Sequence, residues 1–291
     1  MLYDMPLYRP PSEGDNLILQ VTLGCSFNGC TFCSMYKAKT FRIRTLEDVF
    51  ADIAAAAADW PEAHRVFLAD GDALTLPTDH LFRILDHLRA TFPDLARVSC
   101  YATPVNLLGK TSDELRGLRD RGLTLVYVGI ESGSGRVLRH IRKGATPASM
   151  AAALERARGA GLKISATVVL GLGGRRYWED HVDGTVAVVN RAAPHFLSTL
   201  QLYLEDTVVP RFLACWEGEY EPQDDIGILA EQERLLSGLE PATPVIFRSN
   251  HASNCLALAG TLPKDRGRLL AEVRAARQGA SALRPRFLRR L

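Results

Sequence analysis

The sequence has no long apolar run. None of its stretches reaches the roughly 18 uninterrupted apolar residues that a membrane helix needs, and its first eleven residues hold Asp4, Arg9 and three prolines, which a secretory leader would not. It has little charge of one sign in excess: 35 Lys and Arg stand against 33 Asp and Glu, a formal net of +2, too mild a balance to argue for a nucleic-acid partner. It has no internal repeat and no low-complexity segment beyond the alanine run 54–58. Cysteine is sparse, six in 291 residues, and half of it falls in one short stretch. These absences lead us to expect neither a membrane-spanning nor a secreted, disulfide-framed protein. They point to a cytoplasmic chain whose cysteines are thiols, metal ligands or catalytic groups. Basic residues gather only at the end, where Arg284, Arg286, Arg289 and Arg290 read as a solvated tail.

What is present is apolar content for a sizeable core, 47%, arranged in repeated strand–helix alternation. Strand-like runs at 17–22, 65–69, 98–103, 123–130, 164–170 and 196–204 are separated by helical patterns. Thr45 to Asp48 reads as a capping box before the alanine-rich helix, and Leu81, Ile84, Leu85 and Leu88 share one helical face. Nearly continuous apolar strands joined by helices predict a parallel sheet. Six such units in about 190 residues suit a partial barrel better than a closed eight-fold one. The fold class is thus α/β: a partial (β/α)6 TIM-like barrel over residues 1–205, with a short C-terminal extension, 206–291, closing the barrel mouth.

Residues 25–33 read Cys-Ser-Phe-Asn-Gly-Cys-Thr-Phe-Cys. Cys25, Cys30 and Cys33 are three soft donors on one loop after the first strand, beside the turn signal Asn28-Gly29. Iron–sulfur clusters take cysteine ligands, normally four to a cubane. Three protein ligands would leave one iron open to a substrate or cofactor. A structural zinc site would need a fourth protein ligand at close spacing, and the next candidates, His64 and Cys100, are distant in sequence.

At these residues the chain resembles the radical S-adenosylmethionine superfamily, whose hallmark is C-x3-C-x-aromatic-C in the loop after the first barrel strand. Here the first gap is four residues, and Phe32 supplies the aromatic. The resemblance implies a [4Fe–4S] cluster on Cys25, Cys30 and Cys33 that reductively cleaves S-adenosylmethionine to a 5′-deoxyadenosyl radical. It gives Asp70, Gly71 and Asp72, in place of the family's Gly-Gly-Glu turn, to the methionine amino group. Residues 128–134, Val-Gly-Ile-Glu-Ser-Gly-Ser, are similar to the G-x-E-S-G-S segment of the methylthiotransferase-like and coproporphyrinogen-dehydrogenase-like groups, with Lys143-Gly144 fitting the same pattern. That gives Glu131 and Ser132 to the cofactor. By the same likeness Val169, Gly171 and Tyr203 face its adenine. Tyr203 reads equally as core, and Glu131 reads also as a helix cap.

Outside the resemblance, residues 247–254 place Arg248, Asn250, His251, Ser253 and Asn254 after an apolar strand-like run. Such mixed donors and acceptors suit a small polar substrate, with Arg248 for a carboxylate or phosphate and His251 for proton transfer. They suit a capped loop equally. Tyr36 and Lys37, just past the cysteines, are further candidates to line the mouth. Cys100, Cys215 and Cys255 form no C-x2-C pair that would hold a second cluster, and no room remains for a cobalamin domain. The reading is a radical enzyme acting on a small-molecule substrate, with an electron donor such as flavodoxin or ferredoxin and no membrane partner. An RNA-modifying enzyme is the alternative, disfavoured by the lack of a recognisable RNA-binding domain. From another class, an iron–sulfur electron-transfer or scaffold protein remains.

Overall fold

The computed structural model describes residues 1, 3–216 and 218–289, so Arg290 lies outside the described residues. The chain divides into two compact units. The first comprises residues 1–28, 35–128 and 155–164. It runs β1 (Leu17–Gln20), β2 (Thr22–Leu23), β3 (Arg42–Ile43), α1 (Leu46–Asp59), β4 (Arg65–Ala69), α2 (Thr78–Thr91), β5 (Arg97–Ala102), α3 (Pro104–Gly109), α4 (Ser112–Asp120) and the start of β6 (Leu123–Glu131). β1, β4, β5 and β6 pair side by side, all parallel, with Leu17 opposite Val66, Arg65 opposite Arg97 and Cys100 opposite Val126. Their side chains are buried on both faces, Leu19, Phe67, Leu68, Val98 and Val126 completely, which is why these runs read as continuously apolar. The inner faces of α1, α2 and α4 bring Val49, Ile53, Ile84, Leu88, Leu115 and Leu118 to the same core. Each such side chain contributes about 1.5–3 kcal/mol by leaving water. Local chemistry sets the helix starts. Thr45 accepts from the Asp48 N–H at 3.1 Å, and Thr111 and Glu114 cap each other reciprocally at α4.

The second unit comprises residues 29–34, 129–154 and 165–291. It holds the end of β6, then α5 (Gly135–His140), most of α6 (Pro147–Gly159) and of β7 (Lys163–Leu170), α7 (Gly174–Arg191), β8 (Phe196–Gln201), α8 (Val209–Ala214), α9 (Asp225–Gly238), β9 (Val245–Arg248), β10 (Ala259–Leu262) and α10 (Arg266–Arg277). β7 and β8 are parallel, and β9 adds to β8 in parallel as well. Residues 245–247, an apolar strand-like run in sequence, thus lie along β8. β10 closes onto β9 antiparallel, Leu262 opposite Val245. It escapes sequence reading because Ala-Gly-Thr-Leu is short and carries no alternation. Among the described residues no helix is long and apolar enough to cross a membrane.

Helix α9 ties the extension to the strands through polar groups as well as apolar ones. Glu231, fully buried, accepts the Gly171 N–H at 2.7 Å, while the Tyr220 hydroxyl donates to the Gly171 carbonyl at 3.0 Å. Gln232 accepts from Thr199 and Ser249. The tail is not simply solvated. Arg289 makes a two-pronged pair with Asp225 at 2.6 and 2.9 Å, and Arg284 donates to the carbonyls of His251 and Ala252. A planar guanidinium matches a carboxylate at two points, and Asp225 stands in the first turn of α9.

Burial pushes the Glu231 carboxyl up to about 8. A carboxyl raised in the folded state stabilises the fold fully below its unfolded value and loses that contribution as pH rises through the folded one. Glu231→Gln, which keeps an oxygen acceptor for Gly171 without the charge, should therefore gain on the wild type in thermal stability as pH rises from about 4.5 to about 8. Parallel melting curves across that window, with a constant gap between the two proteins, would contradict it.

Candidate functional site

The cysteine loop leaves β2 at Gly24 and returns through β3, which pairs antiparallel with β2. In the first unit two buried carboxylates grip its start. Asp70 Oδ2 accepts the Gly24 N–H at 3.0 Å and the Lys39 ammonium at 3.1 Å, and Asp70 Oδ1 accepts from Gln20 at 3.2 Å. Burial holds the Asp70 carboxyl above the usual carboxylate range despite these donors. Asp72 accepts the Ser26 N–H at 2.8 Å and also the Ser26 hydroxyl. Between them Gly71 donates to the Gly24 carbonyl at 3.0 Å, and a Cβ there would stand 2.6 Å from the Cys25 Cβ, so only glycine lets the two segments meet. The sequence assigned residues 70–72 to the methionine amino group. In the structure the oxygens of Asp70 and Asp72 hold the start of the cysteine loop. Tyr36 and Lys37, read as substrate candidates, also brace it: Asn28 donates to the Tyr36 carbonyl at 2.8 Å and Lys37 to the Asn28 carbonyl at 2.7 Å. The Tyr36 side chain is buried, its ring edge-on to Tyr8 at 5.3 Å.

The second unit holds residues 29–34, with Cys30 and Cys33. Thr31 donates its N–H to the Ile141 carbonyl at 2.9 Å, and Arg211 donates to the Gly29 carbonyl at 3.1 Å. Phe32 packs on a cluster that includes Val137, Leu138, Ile141 and Val169. Beside it Glu131 and Lys143 form an ion pair of 2.9 Å, each side chain 11% exposed. A Cβ on Gly129 would fall 2.0 Å from the Glu131 Oε1 and 2.8 Å from the Lys143 Nζ, so that glycine makes space for the pair. Burial alone would lower the Lys143 ammonium, but the Glu131 carboxylate and the negative charge of Cys30 and Cys33 hold it well above its ordinary value. Lys143 is a site residue that sequence reading left as part of a pattern. Its signal was position, twelve residues after Glu131 across a short helix.

Ser132, fully buried, lies with its Oγ 2.8 Å from the His181 Nδ1 and accepts the Ser134 N–H at 3.0 Å. Burial pushes His181 down to about 4, so the ring is neutral and works as a hydrogen-bonding strut. Nothing in the sequence around His181 marked it. Val169 is buried, Gly171 is held by Glu231 and Tyr220, and Tyr203 is 51% exposed, which removes the reading of Tyr203 as core.

The polar run after β9 is largely engaged in its own fold. Asn254 donates to the Thr199 carbonyl at 2.7 Å and accepts from the Gln201 N–H at 2.6 Å, and Ser249 exchanges backbone bonds with Leu258. Ser253 lies 2.9 Å from the His251 Nδ1. Arg248 stacks over Phe196 at 5.5 Å. The cavity beside Asn254 and Cys255 has a volume of about 10 Å³, room for one water and no metabolite. Asn254 and Ser253 are therefore loop-holding residues here, while Arg248, Asn250 and His251 keep some exposure.

Three thiols on one nine-residue loop, partly exposed, with a lysine ammonium facing two of them, suit an anionic iron–sulfur cluster in donor chemistry and charge. Among the described residues no group of three or more His, Cys, Asp or Glu side chains stands gathered around a metal-sized point, so the ligand set rests on donor chemistry and not on thiol positions. Two of the remaining cysteines are poor donors: burial pushes the Cys100 thiol up to about 12 and Cys255 up to about 11.

The profile of the radical SAM superfamily matches residues 19–186, more than half of the chain. A protein of Methanocaldococcus jannaschii named as a methylthiotransferase is 25% identical over 167 residues, 54% of this chain and 36% of that protein, so the chain spans about a third of the length of this curated relative. Methylornithine synthase is similar in fold, with a TM-score of 0.55 at 11% identity, over 89% of this chain and 68% of that one. Coproporphyrinogen III oxidase from Escherichia coli follows with a TM-score of 0.54 at 17% identity, over 76% and 52%. These likenesses bear out the α/β class, with the parallel strands of a partial barrel. The chain belongs to the radical S-adenosylmethionine superfamily, enzymes that cleave S-adenosylmethionine reductively at a [4Fe–4S] cluster.

Proposed function

We propose that Cys25, Cys30 and Cys33 hold the [4Fe–4S] cluster of this chain, and that Phe32, Gly71, Glu131, Ser132, Val169, Gly171 and Tyr203 receive S-adenosylmethionine. The cluster, when bound, supplies the electron that splits the S–C5′ bond and releases the 5′-deoxyadenosyl radical. The observation that carries this reading is the run of three soft donors, Cys25, Cys30 and Cys33, on one loop, together with the Glu131–Lys143 ion pair, whose ammonium interacts electrostatically with Cys30 and Cys33. Lys143 offsets negative charge where thiolates gather. Glu131 offers a carboxylate to the amino group or ribose of the cofactor, and Ser132, held by His181, keeps the turn in shape. Phe32 shields the loop from water on its apolar side.

The reaction we read is hydrogen abstraction from a small polar substrate in the cytoplasm, with an electron carrier such as flavodoxin or ferredoxin as partner. Arg248, Asn250 and His251, the polar residues after β9 that remain exposed in part, are the substrate and proton-transfer candidates. The second reading is an RNA-modifying enzyme, to which the basic residues at the end of the sequence lend weight. Against it, Arg284 and Arg289 of the basic tail are already engaged within the fold.

Anaerobically reconstituted protein should bind about four irons, and Cys25→Ala, Cys30→Ala and Cys33→Ala together should abolish this. A triple variant that keeps its iron would place the cluster elsewhere. Reduced wild type should release 5′-deoxyadenosine.

Glu131→Gln should keep iron while weakening S-adenosylmethionine binding about ten- to hundredfold, the loss expected for one charge-assisted hydrogen bond. Asp72→Ala should do the reverse, losing iron from a slackened loop, because Asp72 holds Ser26. Iron assay and calorimetry on both variants separate the roles. An Asp72 variant with full iron and weak cofactor binding would restore Asp72 as a cofactor ligand.

A further inference from the structure

We infer that Arg136, Arg139 and Arg142 form the docking face for an acidic one-electron carrier protein, such as flavodoxin, that reduces the cluster. The inference rests on the cluster assignment proposed above.

Helix α5 and the turn after it have two sides. Val137, Leu138 and Ile141 are buried around Phe32 of the cysteine loop. Arg136, Arg139 and Arg142 are exposed. Among the described residues none of these three arginines has a carboxylate partner. The guanidinium carbon of Arg136 lies 4.7 Å from the centre of the Tyr177 ring. On α4 and α10, by contrast, every arginine lies within reach of an Asp or Glu. Exposed ion pairs stabilise a fold little, so leaving three arginines without them costs little stability and preserves a local positive field.

That field lies next to the cysteine loop. Thr31, between Cys30 and Cys33, is hydrogen-bonded to the Ile141 carbonyl, one residue from Arg142. Arg211, also exposed, reaches the Gly29 carbonyl of the same loop. Below the arginines His140 stacks on Trp216 at 4.3 Å, and Trp216 on Tyr177 at 6.1 Å, so the face rests on packed rings. The electron that the cluster needs must come from outside the chain. In the transfer one electron leaves the reduced cofactor of the carrier, which is oxidised by one electron, and enters the cluster, which is reduced by one; no bond forms or breaks.

Size decides between an acidic protein and RNA. Redox encounters are among the smallest protein interfaces and are steered by charge. Proteins that track a phosphate backbone typically neutralise six or more phosphates, and three arginines on six helical residues and one turn are too few.

The test uses reconstituted holoprotein and follows bleaching of the cluster absorbance on rapid mixing. Arg136→Glu, Arg139→Glu and Arg142→Glu combined should slow reduction by reduced flavodoxin at least about tenfold and remove its salt dependence. Reduction by photoreduced 5-deazariboflavin, small and uncharged, should stay unchanged. If the charge-reversed protein loses iron, the corresponding triple Gln variant, which removes charge without reversing it, decides the point by the same comparison. Flavodoxin rates equal to wild type would overturn the proposal. So would loss of tRNA binding with flavodoxin reduction intact, which would make the face an RNA surface. Wild type that holds no iron, or makes no 5′-deoxyadenosine with deazaflavin, would instead sink the cluster assignment itself.

Discussion

Asp72 accepts two hydrogen bonds from Ser26, Asp70 accepts the Gly24 N–H, and Gly71 lies against Cys25 with no space for a side chain. These contacts join the end of β4 to the start of the cysteine loop. A loop of this kind has few apolar side chains to anchor it, and its backbone donors must find acceptors when buried. Two carboxylates supply them at the place where the first thiol leaves the strand. The acidic residues 70 and 72, which in sequence suggest a site for a cationic amino group, carry this structural task.

The second unit solves a different problem with the opposite charges. Cys30, Cys33 and Glu131 are groups that can carry negative charge. The Lys143 ammonium, raised by all three, offsets part of it at short range, where partial burial weakens solvent screening. The glycine at 129 makes space for the pair. His181 and Thr185 of α7 support the turn that follows through Ser132 and Gly133. Positioning of the reactive groups thus depends on hydrogen bonds from neighbouring helices more than on the turn residues themselves.

The extension reaches the same region from its own side. Glu231 and Tyr220 hold both polar groups of the Gly171 peptide, and β9 continues the parallel run beside β8. Residues 206–291 are therefore tied to the β7 turn by groups that are themselves buried and satisfied.

Repetition made the strands and helices legible in sequence. Apolar runs such as 65–69 and the leucine face of α2 report burial directly, and caps such as Thr111 mark where helices begin. The cysteine spacing determined the chemistry, because three soft donors on one loop have few other uses. Sequence could not decide what each polar residue meets. Asp72 follows β4 and Glu131 ends β6, and both read as cofactor ligands, yet one is bound to Ser26 and the other to Lys143. Asn254 and His251 stand three residues apart, and only the first is locked between strands β8 and β9. Partners that lie 46 residues apart for Ser26 and Asp72, or 49 for Ser132 and His181, leave no local pattern. Tertiary packing alone brings such side chains within hydrogen-bonding distance, and that distance decides whether a buried carboxylate serves the loop or the ligand.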